Sequence, residues 1–317
     1  MDRWTGLLNV SLSKGSAGPF FKIAASLLLS PSKTLAVPSI NAIFYRGDRV
    51  EGTGDPVIES LSDSKNLLDT ILSKFQISAV NAWVVEASTY NGAFAVYREM
   101  IPTVNSRGEP KGYDPIGFPA SSSIVSILSA CVDQIQNQLS VNTLKESIPP
   151  ASSPKTVILG FSKGGTVVNQ LVTELAYLST RHASNSLGTD LPQTSHCFMF
   201  PTSSESFLNS ILEFHYIDVG LNCSGAYLTD KDIFRNLTNF IVKNDMYISF
   251  FLHGTPRQWC DPYRPWIRKE KDLMLDFLSE ETCRSEGKLK VIERLYFGDK
   301  SPSLRMHFEI IDVINLT

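Results

Sequence analysis

"VILGFSKGGTVVNQL", residues 157–171, carries the reading of the fold. An apolar run ends in Gly160-Phe161-Ser162-Lys163-Gly164, and apolar residues at helical spacing begin at once. That is the pattern of a buried strand entering a helix through a sharp turn. The Gly-x-Ser-x-Gly form is weak by itself. Its place between strand and helix is what points to a serine nucleophile. Gly160 and Gly164 allow the tight turn, and Gly165 lets the helix lie close to neighbouring strands. The helix start aims free N–H groups at Ser162, where an oxyanion would form. The plainer reading is a strand-to-helix turn with no chemistry.

Outward from this turn, strands and helices alternate. "GLLNVSLS" and "FKIAASLLLS" predict an N-terminal strand pair within about residues 5–35, joined by the turn "KGSAGP". "INAIFYRGD", "SAVNAWVVEA", "EFHYIDVG", "YISFFLHG" and "LKVIERLYF" predict further strands. Helical spacing appears over 57–75, 123–139, 164–178, 230–244 and 265–281. Residues 102–122, rich in Gly, Pro and Ser, predict a loop and a candidate lid or entrance; 179–194 is a polar stretch. Such alternation implies one α/β domain over residues 1–317, with a mostly parallel central sheet and helices on both faces.

Composition excludes several classes. Hydrophobic residues make up 43% and charged residues 19% of 317, enough to bury a sizeable core. The formal net charge is −3 and no basic stripe appears, so nucleic-acid binding has no support. Five widely spaced cysteines without a CxxC argue for reduced thiols in an intracellular protein, against zinc or a secreted disulfide framework. No apolar stretch reaches the ~18 residues of a membrane span, and the start is not a secretory signal. Residues 3–47 hold Arg3, Lys14, Lys22, Lys33 and Arg46 but no acidic residue. An organelle transit peptide shares that bias, and an ordinary strand pair accounts for it too.

A serine nucleophile needs a base, and the histidines are His182, His196, His215, His253 and His307. In the chain order Ser, acid, His of α/β-hydrolases, His307 is expected as the base, on a loop near the C-terminus. The expected acid is Asp261, just past "YISFFLHG", with Asp218 at the end of "YID" as the alternative. Asp261 next to Pro262 also fits a helix cap. The oxyanion donors are expected to be the Lys163 N–H and the N–H of Gly47 or Asp48. The Lys163 side chain is open to two readings, a solvated lysine or a contact to an anionic substrate group. No cofactor or metal site is expected.

"LGFSKGGTVVNQLVTEL", "HGTPRQWCDPYRPWIRKE" and "HFEIIDV" resemble the family named after human chromosome-two open reading frame sixty-nine. The likeness runs from about Leu7 to the C-terminus. Its most specific parts are the Phe-Ser-Lys-Gly turn with Asn169 and Gln170 behind it, and the block from Thr255-Pro256 to Asp261-Pro262 ahead of Trp266. The resemblance implies an α/β-hydrolase-like fold near serine esterases and lipases. It supports Ser162, His307 and an acid at Asp261 or Asp218. It also implies a mitochondrial link, so the expected location is cytosol or mitochondrion. The leading functional expectation is a cofactor-free serine hydrolase acting on a small acyl ester or thioester, lipids included. The rivals are a non-catalytic hydrolase-like scaffold binding a protein or metabolite, and an acyltransferase using the same triad.

Overall fold

Among the described residues, eight strands share one sheet in the order β1-β2-β4-β3-β7-β8-β9-β10. They are β1 (Arg3–Ser11), β2 (Phe20–Leu28), β3 (Ile40–Tyr45), β4 (Val80–Val85), β7 (Lys155–Phe161), β8 (Ile211–Ile217), β9 (Ile248–Gly254) and β10 (Leu289–Leu295). β5 (Thr89–Asn91) and β6 (Phe94–Val96) pair apart as a hairpin. β2 is antiparallel to both β1 and β4; every pairing from β4 to β10 is parallel. This is the expected α/β-hydrolase-like, mostly parallel sheet. The computed structural model describes residues 2–12, 20–76, 79–139, 153–181 and 199–316. The N-terminal turn "KGSAGP", most of the polar stretch 179–194, His182, His196 and Cys197 lie outside these residues.

Both faces are covered, which is why the parallel strands read as continuous apolar runs. β7 buries every residue after Lys155. α1 (Pro56–Ser62), α2 (Ser64–Ser73) and α9 (Leu304–Val313) cover one face, packing Leu68 and Ile311 with Phe44, Leu159 and Phe161. α3 (Pro119–Gln138), α4 (Gly165–Arg181), α5 (Ser204–Ser210), α6 (Lys231–Lys243) and α8 (Pro265–Arg284) cover the other. The single helix expected over 57–75 is two. Asp63 accepts from the N–H groups of Lys65 and Asn66 and so caps α2 while ending α1. No helix among the described residues is long and apolar enough to cross a membrane. Cys131, Cys223, Cys260 and Cys283 are free thiols.

Parallel pairing in register aligns Phe161 with Ile217 and Ile217 with His253. The carboxyl ends of β7, β8 and β9 therefore lie side by side, and the chain leaves them at Ser162, Asp218 and Thr255. Ligands of open parallel sheets bind at this edge.

Within the sheet, His215 and His253 form a buried chain. His215 Nε2 lies 2.9 Å from Glu213 Oε2, His215 Nδ1 lies 3.1 Å from His253 Nε2, and His253 Nδ1 lies 3.1 Å from the Tyr296 hydroxyl. One proton order satisfies every nitrogen: Tyr296 donates to His253, His253 to His215, and His215 to Glu213. Both rings are then neutral. Burial first, then the charges of His215 and Arg294, push His253 down to about 2. Burial likewise lowers His215. His253 binds a proton below pH ~6.5 when unfolded but not when folded, and His215 shifts in the same direction. Their stabilisation is therefore complete above that pH and lost as pH falls towards the folded pKa. Urea unfolding at pH 7 and 5.5 should show a loss of about 1 kcal/mol from His253, with His215 acting in the same direction. His215→Phe/His253→Phe should flatten the slope; an unchanged slope in that variant would remove the explanation.

Candidate active site

Ser162 follows β7 in a single 3₁₀ turn, Ser162–Gly164, that opens α4. It has φ +52°, a left-handed conformation rarely adopted outside glycine. Holding a serine there costs about 1–2 kcal/mol. The serine itself bends backwards, not the glycines beside it. Those glycines are needed for close approach. A Cβ on Gly160 would lie 2.4 Å from Val168 Cγ2, one on Gly164 2.2 Å from the Tyr45 carbonyl oxygen, and one on Gly165 2.3 Å from Val219 Cγ2.

His307 is in a helix, not on the expected loop. It is the fourth residue of α9, whose start is capped by the Ser303 hydroxyl accepting from Met306 N–H. Its Nδ1 lies 2.6 Å from Asp218 Oδ2. With a carboxylate as the acceptor, Nδ1 carries the proton and Nε2 is left as a base. The Phe161 ring, next to Ser162 in the chain, packs 4.6 Å from the imidazole, centroid to centroid. Ser162 Oγ and His307 are not hydrogen-bonded to each other, and such pairs are often long without substrate. Ser162, His307 and Asp218 are 8%, 6% and 0% exposed, so substrate would meet a narrow, largely dry site.

Asp218 is the carboxylate on the histidine, which corrects the preference for Asp261. Three donors converge on its carboxylate: Thr255 N–H at 2.7 Å, the Thr255 hydroxyl at 2.9 Å and His307 Nδ1–H. Its own N–H donates to the His253 carbonyl at 2.7 Å, and φ is +44°. Asp261 sits between α7 (Pro256–Trp259) and α8. It accepts from Tyr263 N–H at 2.9 Å and pairs with Arg264 Nε at 2.8 Å. Slight burial opposes its ionisation, but Arg264 and the Tyr263 N–H hold its carboxyl below the ordinary value. It is the turn cap that Asp-Pro allows. His253, which ends β9, is engaged with His215 and Tyr296.

Gly47 lies against Ser162: a Cβ there would be 2.5 Å from Ser162 Cβ and 3.0 Å from Oγ. The N–H groups of Gly47 and Asp48 donate to no described residue.

The Lys163 side chain is neither solvated nor offered to substrate. It is 3% exposed, and its Nζ lies 3.0 Å from Asp48 Oδ1, 2.8 Å from the Arg107 carbonyl and 4.5 Å from the centre of the Phe94 ring. Asp48 Oδ1 also accepts from Ala95 N–H at 2.7 Å. The residue after the nucleophile thus ties the Gly47-Asp48 turn to the β5–β6 hairpin. Lys163→Met should cost about 2–3 kcal/mol in urea unfolding, because a partly buried carboxylate loses its cation. Full stability in that variant would show that the pair is dispensable.

The candidate lid, residues 102–122, is pinned at several points. Asn169 donates to the Tyr113 hydroxyl at 2.9 Å and to the Ala226 carbonyl at 3.0 Å, and Tyr113 donates to the Gly225 carbonyl at 2.7 Å. Gln170 donates to the Asp114 carbonyl at 2.6 Å, and Glu174 accepts from the N–H groups of Ala120 and Ser121. Its last residues are already the first turn of α3. Among the described residues no three His, Cys, Asp or Glu side chains gather as a metal-holding group.

Comparison with known proteins agrees with the block of residues singled out above. Mitochondrial protein C2orf69 homolog of Danio rerio is 26% identical over 241 residues, which is 72% of this chain and 58% of that protein. The Mus musculus homolog is 27% identical over 170 residues, 53% of this chain and 38% of that protein. The chain thus spans between about two fifths and three fifths of the length of the curated relatives it matches. Among solved structures, siderophore hydrolase EstA from Aspergillus nidulans aligns with a TM-score of 0.46 at 13% identity, covering 97% of this chain and 91% of that one. An IroE-like serine hydrolase from Shewanella oneidensis aligns with a TM-score of 0.45 at 13% identity, covering 98% and 78%. The model of the C2orf69 family matches residues 120–283, from the start of α3 almost to the end of α8 and including the serine turn and Asp218, and the chain belongs to that family.

Proposed function

We propose that this chain is a serine hydrolase cleaving an ester or thioester through an acyl-enzyme. One observation carries the reading: a serine at φ +52° directly follows β7, whose last residue, Phe161, packs on a histidine whose Nδ1 is bonded to a buried aspartate. Ser162 Oγ attacks the acyl carbonyl while His307 Nε2 takes its proton. Asp218 keeps the ring in that tautomer and stabilises the imidazolium. The N–H groups of Lys163 and of Gly47 or Asp48 receive the negative oxygen. His307 then gives its proton to the leaving group, and water activated by the same nitrogen releases the acyl group.

A fluorophosphonate probe should label the wild-type chain and not Ser162→Ala. Equal labelling of both would remove Ser162 from the reaction. No labelling of either, with no ester turnover, would favour a scaffold that binds a protein or metabolite, which the low exposure of Ser162 also suits. Since the relatives are named mitochondrial proteins, we place this hydrolase in the mitochondrion. Cell fractionation that finds it only in the cytosol would refute that.

A further inference from the structure

Buried and half-buried cations around the candidate site have partners, with one exception. Lys163 is paired with Asp48, Arg264 with Asp261, Lys271 with Glu293 and Arg46 with Glu86. Arg257 is not. Its Nε is buried and unbonded, and among the described residues its guanidinium forms no ion pair and donates no hydrogen bond. A guanidinium keeps its proton in proteins, so the charge cannot be relieved by neutralisation. Arg257 is half-buried: Nε is enclosed and the two terminal nitrogens are not, so the head group is open to a ligand on its outer side.

Its place in the chain says which ligand. Thr255, two residues earlier, gives both its donors to Asp218. Arg257 stands in α7, the single turn between that threonine and Asp261, and α7 lies beside α9, which carries His307. The neighbouring Gln258 packs its amide on Gly220, two residues past Asp218, and its Oε1 is also buried and unbonded. The turn therefore carries an unpaired guanidinium next to the helix that bears His307. Burial, and next the charge of Arg264, act against the Arg257 charge, while Asp218 and Asp261 favour it. A bound anion would add an attraction that offsets both.

We propose that Arg257 is the anion-recognising residue of this site, and that the substrate is an ester or thioester bearing a carboxylate besides the bond that is cleaved. The planar guanidinium suits a carboxylate, which it can bind through two parallel hydrogen bonds. The substrate assignment rests on the hydrolase reading; the anion site does not.

Mono(4-nitrophenyl) adipate and 4-nitrophenyl hexanoate have the same six-carbon acyl chain and differ in the terminal carboxylate, so they isolate its effect. The wild type should favour the adipate ester in kcat/KM by about tenfold or more, and the preference should weaken in high salt. Arg257→Gln should bring the ratio towards one, and Arg257→Lys should restore part of it. Labelling of Arg257→Gln by the fluorophosphonate probe checks that its serine turn is intact. A ratio unchanged in Arg257→Gln, or no preference in a wild type that hydrolyses the hexanoate, would overturn the proposal and leave the hydrolase standing. If neither ester is turned over, calorimetric titration of the Ser162→Ala protein with adipate decides. Binding lost in Ser162→Ala/Arg257→Gln would support the anion site without the hydrolase, and absence of binding would overturn it. Competition by inorganic phosphate but not by adipate would overturn the choice of a carboxylate.

Discussion

Asp218→Asn is expected to lower kcat by about 10⁴-fold on a 4-nitrophenyl ester, and Asp261→Asn to change it by less than about threefold. The two residues were equal candidates in type, and their partners separate them. At Asp218, the Thr255 N–H and hydroxyl both donate. The N–H donates to Oδ1, and the hydroxyl shares Oδ2 with His307 Nδ1, so an asparagine that keeps its carbonyl oxygen on the N–H turns its NH₂ towards both the hydroxyl and His307 Nδ1. That nitrogen must then accept, so the ring proton moves to Nε2, the atom that should take the proton of Ser162. Folding should suffer little, since the amide has the same shape, still accepts from the Thr255 N–H, and can donate to the Thr255 hydroxyl in place of accepting from it. At Asp261, the Arg264 pair is partly exposed and contributes at most about 1 kcal/mol, and an asparagine still accepts from Tyr263 N–H. Steady-state kinetics of the two purified variants decide the matter. Comparable losses in both, or a larger loss in Asp261→Asn, would remove Asp218 from its role.

The same pair shows what a sequence can and cannot disclose. The serine turn was legible because its signal is local: a buried strand, two glycines and an amphipathic helix lie within fifteen residues. The Asp-Pro cap at Asp261 is local too. The contact of His307 with Asp218 is not, since it joins residues 89 apart in the chain. It depends on β8 and α9 meeting at one sheet edge, which no short window records. Lys163 is hidden for the same reason. A lysine in a polar turn suggests solvent, and its burial follows from Asp48, Arg107 and Phe94 converging from distant segments. Other features left local marks that can be read in hindsight. Asn91-Gly92 is a hairpin signal, and β5 turns into β6 there, with Gly92 at φ +61°. Ser303 ahead of "LRMHFEII" is an N-cap signature, and it puts His307 in a helix.

Ser162→Ala and His307→Ala are each expected to lower kcat by up to about 10⁶-fold, and the double variant should be little worse than either. The serine supplies the bond to the acyl carbon and the histidine removes its proton, so neither acts without the other. What remains in either single variant comes from the N–H donors and substrate binding, which both variants keep. Additive losses would mean that the two residues act on turnover separately, and not as one nucleophile–base unit. Stability offers an independent reading of the same serine. Ser162→Ala keeps a Cβ at φ +52°, so its unfolding free energy should stay near that of the wild type. Ser162→Gly removes the Cβ that the left-handed conformation disfavours, which should raise stability by up to about 1 kcal/mol while turnover is lost. A residue retained in a conformation that glycine would adopt with less strain is held there for what its side chain does. If Ser162→Gly is instead less stable than the wild type, the turn is not strained at the serine, and that argument for a nucleophile fails.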